Sequence, residues 1–143
     1  MSFLKKSFKR SSKGSLIAEA ALIIPILLGI TFFITEFGNV LYLLDTLNQI
    51  SRTAARYAAV TSAYTQESLI DASGANTLLP DINKLTLTAV PAPGAQRNIG
   101  ATITITVQYN YIPIINPFGL FNSNNSWSPI IKSSSVARSE VKN

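Results

Sequence analysis

The hydrophobic pattern changes character twice along the chain. Residues 16–34, LIAEAALIIPILLGITFFI, are apolar with a single ionisable group, Glu19. As a helix rising about 1.5 Å per residue, this run spans about 28 Å, close to the ~30 Å hydrocarbon core of a bilayer. A buried core helix is the alternative, but the rest of the chain is too small to surround it on all sides. A secretory signal peptide fits poorly. Its apolar core usually covers about 7–15 residues and ends in a small-residue cleavage site, whereas this longer run is followed by Thr35, Glu36 and Phe37. Pro25 removes one backbone bond and is expected to kink or loosen the helix near Ala21, which membrane helices tolerate better than soluble ones.

Beyond Ile34 polarity rises while helical periodicity persists. Phe37, Val40, Leu41, Leu44, Leu47, Ile50, Ala54, Tyr57 and Ala58 recur at spacings of three and four. Glu36, Asn39, Asp45, Asn48, Gln49, Arg52 and Arg56 largely occupy other positions. The pattern predicts one helix from about residue 15 to residue 62, on the order of 70 Å long. Its apolar stripe needs cover, either from a sheet of the same chain or from neighbouring helices.

The second change is to a period of two. After a polar stretch over 63–83, broken at Ser73-Gly74 and Pro80-Asp81 and with a short helix expected within 66–72, three strands are predicted. Residues 84–90 place Leu85, Leu87 and Ala89 on one side. Residues 101–111 alternate most clearly, with Ile103, Ile105, Val107, Tyr109 and Tyr111 facing one way and Thr102, Thr104, Thr106, Gln108 and Asn110 the other. Residues 130–140 form a less apolar, edge-type strand. The linker 91–100, with Pro91, Pro93 and Gly94, is too short for a parallel crossover, so antiparallel pairing is expected. The fold class is therefore α+β: a long N-terminal transmembrane-to-amphipathic helix packed against a small antiparallel sheet of about three strands. Residues 112–129 mix Pro113, Pro117, Phe118, Leu120, Phe121 and Trp127 with Asn and Ser. This loop is expected to pack over the open end of the sheet, or to contact a partner subunit or the membrane surface. The sequon Asn124-Asn125-Ser126 is taken as a chance match.

Charge sharpens the picture. The formal net charge is +5, and Lys5, Lys6, Lys9, Arg10 and Lys13 all precede Gly14 with no acid among them. The excess is thus an N-terminal tail, and the remainder is neutral. A basic tail can bind nucleic acid. Set directly before an apolar run, it reads instead as a cytoplasmic flank under the positive-inside rule. Histidine and cysteine are absent, which removes disulfides, thiolate or imidazole zinc sites and His-based triads. No cofactor or metal is expected, and an enzyme is a remote reading because no acid–base or nucleophile constellation is visible.

The border of tail and apolar run carries the candidate site. Lys13-Gly14-Ser15-Leu16-Ile17-Ala18-Glu19 resembles the type IV prepilin signature. That resemblance implies a prepilin peptidase cutting between Gly14 and Ser15 and leaving Glu19 as the fifth mature residue. A carboxylate in a helix at membrane depth costs about 2.5–3.5 kcal/mol at the centre and less toward the ends. Glu19 lies one turn from Ser15, whose α-amine cleavage would free, so it can pair with that amine or a neighbour's and complement the helix dipole. In an assembly this pairing would set axial register. The alternative is a chance acid snorkelling to the headgroups.

Further on stand Ile24-Pro25-Ile26, then Glu36-Phe37-Gly38, Tyr42, and Ser51-Arg52-Thr53-Ala54-Ala55-Arg56-Tyr57-Ala58. In type and order these resemble the TadE-like minor pilins, or pseudopilins, of bacterial Tad pilus systems, strongly over residues 14–59 and in outline beyond. The resemblance implies a non-enzymatic component of pilus assembly. Its partners would be the membrane, a prepilin peptidase, other pilin subunits and the Tad assembly platform, with no nucleic acid bound directly. It would sit in the bacterial inner (cytoplasmic) membrane, single-pass, N-terminus inside, and enter the pilus after processing. The organisation would be a leader over 1–14, a membrane segment over 15–34, its amphipathic continuation over 35–62 and an extracytoplasmic region over 63–143. Arg52 and Arg56, one turn apart, are candidate subunit contacts to an acid such as Glu36 or Asp45 on a neighbour; a solvated face, or pairing with acids of the same chain, is the alternative. The competing function is an uncleaved membrane-anchored envelope protein that joins no filament.

Overall fold

The computed structural model describes residues 12–114 and 128–142. The basic tail up to residue 11, and residues 115–127 with Phe118, Phe121, the sequon and Trp127, lie outside the described residues. The chain divides into two units, Met1–Phe37 and Gly38–Asn143. Helix α1, Ser12–Val60, starts in the first and ends in the second.

In the first unit α1 is bare. Residues 14–35 are all exposed, and none of the most apolar eighteen-residue window is buried (0%). This helix is long and apolar enough to cross a membrane. The helix runs unbroken through Pro25. Thr31 and Thr35 donate their hydroxyls to the carbonyls of Leu27 and Thr31, at 2.9 and 3.0 Å, so their polar atoms bond within the helix. Hidden hydroxyls are what a helix in lipid requires.

The second unit packs the remainder of α1 against a three-stranded sheet in the order β1-β2-β3, with β1 Leu85–Val90, β2 Thr102–Asn110 and β3 Ile130–Arg138. Both pairings are antiparallel; Ile105 stands opposite Ala89 on one side and Ser135 on the other. The expected alternation of β2 holds: Ile103, Ile105, Val107 and Tyr109 are buried, while their Thr and Gln neighbours are not. They meet Leu43, Leu47, Ile50, Ala54 and Ala58 of α1. Each fully buried Leu or Ile contributes about 1.5–3 kcal/mol. The short helices α2, Gln66–Ser73, and α3, Ala75–Leu78, add Leu69 and Ala75 to the same core. A capping box between Thr65 and Ser68 starts α2. Gly74, at φ 71°, ends it in the left-handed conformation that glycine adopts without Cβ strain.

The buried stripe of α1 is not the full stripe expected from the sequence. Leu41 and Leu44 remain 50% and 41% exposed, and Phe37 is exposed too, while Leu43, Ser51 and Ala55 are buried. The chain reads Val-Leu-Tyr-Leu-Leu over 40–44 and is apolar all round the helix there. The sheet is on one side only, and it selects Leu43.

Candidate functional site

The sequence-predicted site residues fall into two groups, both on α1. Gly14 and Ser15 lie in its first turn and Glu19 follows one turn later, all exposed. A Cβ added at Gly14 would meet nothing within 4 Å. Glycine in a helix costs roughly 0.5–1 kcal/mol relative to alanine, and no packing or positive φ asks for it at this position. Glu36 is half-buried and engaged by a neighbouring group.

Arg52 and Arg56 belong to the second group. Both are exposed, and neither guanidinium has a hydrogen-bonding or ion-pairing partner among the described residues. With Asp45, Asn48, Gln49 and Thr53 they form one wall of an open groove of about 930 Å³, whose other wall is Ser134–Ala137 of β3. The two arginines therefore do not simply face bulk water: they overlook the edge of the sheet.

Next to that groove lies a polar, hydrogen-bonded cluster. The Ser51 hydroxyl lies 3.1 Å from Ser133 Oγ and 2.9 Å from Ser135 Oγ, and donates to the Asn48 carbonyl at 3.0 Å. Ser133 donates in turn to Asn48 Oδ1 at 2.6 Å. Contacts this short need small side chains on both elements, which is what the Ser/Ala composition of residues 51–59 and 133–137 supplies. The sequence marked β3 as a less apolar edge strand, and it does stand at the edge of the sheet; its serines are also the helix–sheet joint.

Arg97 was likewise silent in the sequence, one base in a Pro/Gly linker. It is buried, 5% exposed, and its Nη2 donates to the carbonyls of Thr61 and of Ser62, the latter at 3.3 Å. The last carbonyls of a helix have no intrahelical partners. α1 has no base in its own last turn, so Arg97 supplies that charge from elsewhere in the chain. The Glu140 amide adds a bond to the Ala59 carbonyl at 2.8 Å.

Two titrating groups sit where β1 begins. The Asp81 carboxyl is held below its usual range, chiefly by the Asn83 amide, with Lys84 also contributing. Lys84 Nζ stands 3.4 Å from Asp81 Oδ2. Burial pushes the Tyr109 phenol up. Among the described residues no cluster of three metal-ligating side chains forms.

Comparison with known proteins agrees with the geometry of α1. Neither the curated proteins nor the solved structures give a match. Residues 14–56 match the model of the family described as TadE-like protein, a span that begins at Gly14, includes the bare apolar helix and ends at Arg56. Over that segment, from Gly14 to the arginine pair, the chain is similar to the TadE-like family.

Proposed function

We infer that this protein is a minor pilin or pseudopilin of a Tad pilus: a non-enzymatic subunit inserted in the cytoplasmic membrane with its basic tail inside, cut after Gly14 by a prepilin peptidase, and packed through α1 against other subunits. The observation that carries this reading is the bare apolar helix, bordered by Gly14 and Glu19, inside the TadE-like segment. An apolar helix that no described residue covers needs lipid or sister helices around it.

The mechanism follows from charge. Before cleavage Glu19 faces an amide one turn away; after cleavage it faces the free ammonium of Ser15. That amine offsets part of the cost of a carboxylate in an apolar layer. The pair forms within one chain or between neighbours, and in the second case it fixes how far one helix slides along another. Gly14, with no structural task of its own, suits a peptide bond that must leave the helix to enter a protease: its backbone unwinds more readily than that of any other residue. The head then presents its surfaces, Arg52 and Arg56 among them, to other subunits.

Mass spectrometry of the protein extracted from its native membrane tests this reading. A mature N-terminus at Ser15, abolished by Gly14→Leu, is expected. An intact leader in cells that process other prepilins overturns it in favour of an uncleaved membrane-anchored envelope protein.

A further inference from the structure

The outer edge of β3 is long and regular, and among the described residues it is open over most of its length. Its nine residues pair with β2 in an unbroken register from Ile130↔Asn110 to Arg138↔Thr102, and among the described residues no strand lies on the other side. In an antiparallel pair the residues alternate between pointing their amide and carbonyl groups toward the partner and away from it. Two bonds fix the phase here. Ser139 N donates to the Ala101 carbonyl at 2.8 Å, and Tyr111 N to the Pro129 carbonyl at 3.0 Å, so odd-numbered residues of β3 serve β2. The backbone groups of Lys132, Ser134, Val136 and Arg138 consequently point outward. Glu140, next in that outward series, uses its amide on the Ala59 carbonyl of α1, which closes the edge at one end and leaves it open toward Ile130.

Natural sheets blunt such edges with charged side chains, proline, bulges or a covering element; β3 carries Lys132 and Arg138 but has neither proline nor bulge. What flanks it is the 930 Å³ groove with Arg52 and Arg56 on the facing wall. Asp45 is the single acid among the lining residues, against Arg52 and Arg56, so the slot carries a net positive charge. Lys132 and Arg138 project from the opposite, solvent-facing side of the strand. Among the described residues the slot thus offers outward-pointing backbone donors and acceptors in line, with two guanidiniums beside them. That chemistry disfavours the chain's own basic tail and suits a segment of opposite charge.

We propose that the β3 edge, with Arg52 and Arg56, docks an extended acidic segment of a partner protein, which adds as a fourth strand and seats a carboxylate between the two guanidiniums. Backbone pairing supplies affinity and the arginines supply selectivity. The proposal concerns the head alone and requires neither cleavage at Gly14 nor incorporation in a filament, so it and the pilin reading can fail separately.

The test uses the full-length protein in detergent micelles and labelled, end-capped eight-residue peptides of alternating valine and threonine. These carry two aspartates, two asparagines or two lysines; a fourth repeats the aspartate peptide with alternate amides N-methylated. Fluorescence anisotropy should show the aspartate peptide binding about tenfold more tightly than the asparagine one, as expected for two partly exposed ion pairs. The lysine and N-methylated peptides should not bind. R52Q/R56Q should reduce the aspartate peptide to the level of the asparagine peptide. Ser134→Pro should abolish binding without changing exchange at β2 amides, because the amide it removes points away from β2. In the complex, amide exchange should slow at Lys132, Ser134, Val136 and Arg138. Equal binding of the aspartate and asparagine peptides, or undiminished binding of the N-methylated one, overturns the proposal. So does protection of those amides in the absence of peptide together with a dimeric mass, which assigns the edge to a second copy. Should Ser134→Pro disturb the sheet, the N-methylated peptide still decides.

Discussion

The guanidinium of Arg97 lies 4.7 Å from the centroid of the Tyr64 ring, and together these two residues tie the β1–β2 linker to the end of α1. Tyr64 donates its phenol to the Pro91 carbonyl at 2.7 Å, while Arg97 holds the carbonyls of Thr61 and Ser62. Arg97→Ala removes the charged hydrogen bonds and the ring contact at once. A charged hydrogen bond is worth about 1.5–3 kcal/mol and a shielded cation–π contact about 1–2 kcal/mol. The Nε and Nη1 donors of Arg97 are buried without partners among the described residues, which offsets part of that gain. A net loss of about 1.5–3 kcal/mol is expected in denaturant unfolding of the micellar protein. Native-state amide exchange should rise first in the last turn of α1.

The serine joint should answer to substitution differently from the apolar core. Ser51→Ala removes the acceptor 2.9 Å from the half-buried Ser135 hydroxyl, while Ser133 keeps its bond to Asn48 Oδ1, at a cost of about 1–2 kcal/mol. Ser51→Leu should cost more, because the helix cannot keep its approach to β3. Unfolding midpoints of the two variants, compared with the parent, check the order.

Leu47 and Leu44 separate buried from exposed positions on one helix. Leu47→Ala, at a fully buried position, should cost about 2–5 kcal/mol. Leu44→Ala, 41% exposed, should stay near or below about 1 kcal/mol. A thermal melt of both variants in the same detergent measures the contrast.

On the proposed pilin reading, Glu19→Gln should leave cutting after Gly14 intact, since the scissile bond is unchanged, yet reduce recovery of the protein in the sheared pilus fraction. The amide would not pair electrostatically with the amine that the proposed cleavage frees at Ser15. Quantifying the processed chain in membrane and pilus fractions by mass spectrometry gives the comparison.

Two pH responses follow from the head. Asp81 titrates below its ordinary 3.8, so its contribution to stability is present above that value and is lost as pH falls through the lower folded value. Asp81→Asn should flatten the acid limb below about pH 4. Tyr109 titrates above its ordinary 10.0. Its neutral form is favoured on folding, so stability is full below that value and declines as pH rises toward the folded one. Tyr109→Phe should remove its share of the alkaline slope, read from unfolding midpoints above pH 10.

Much of this was legible in the residues themselves. The apolar run 16–34, the helical spacing that follows it and the two-residue alternation of β2 are local patterns. Each is written by neighbouring side chains that must share one environment, so the elements and the α+β class could be stated without knowing what touches what. The spacing of Gly14 and Glu19 is likewise a local pattern, and the roles given to them belong to the proposal. The buried face of α1 was not legible. With apolar residues all round at 40–44, the choice of Leu43 over Leu41 and Leu44 depends on where a sheet, whose first strand begins some forty residues later, comes to rest. Nor could Ser51 announce its bonds to Ser133 and Ser135, or Arg97 its place at the end of α1. These contacts join segments far apart in sequence, and each polar group is polar in either setting. Periodicity thus determined what each segment would become, because burial on one face is a local demand. Only the tertiary structure decided which polar groups meet, because hydrogen bonds between distant segments leave no periodic trace.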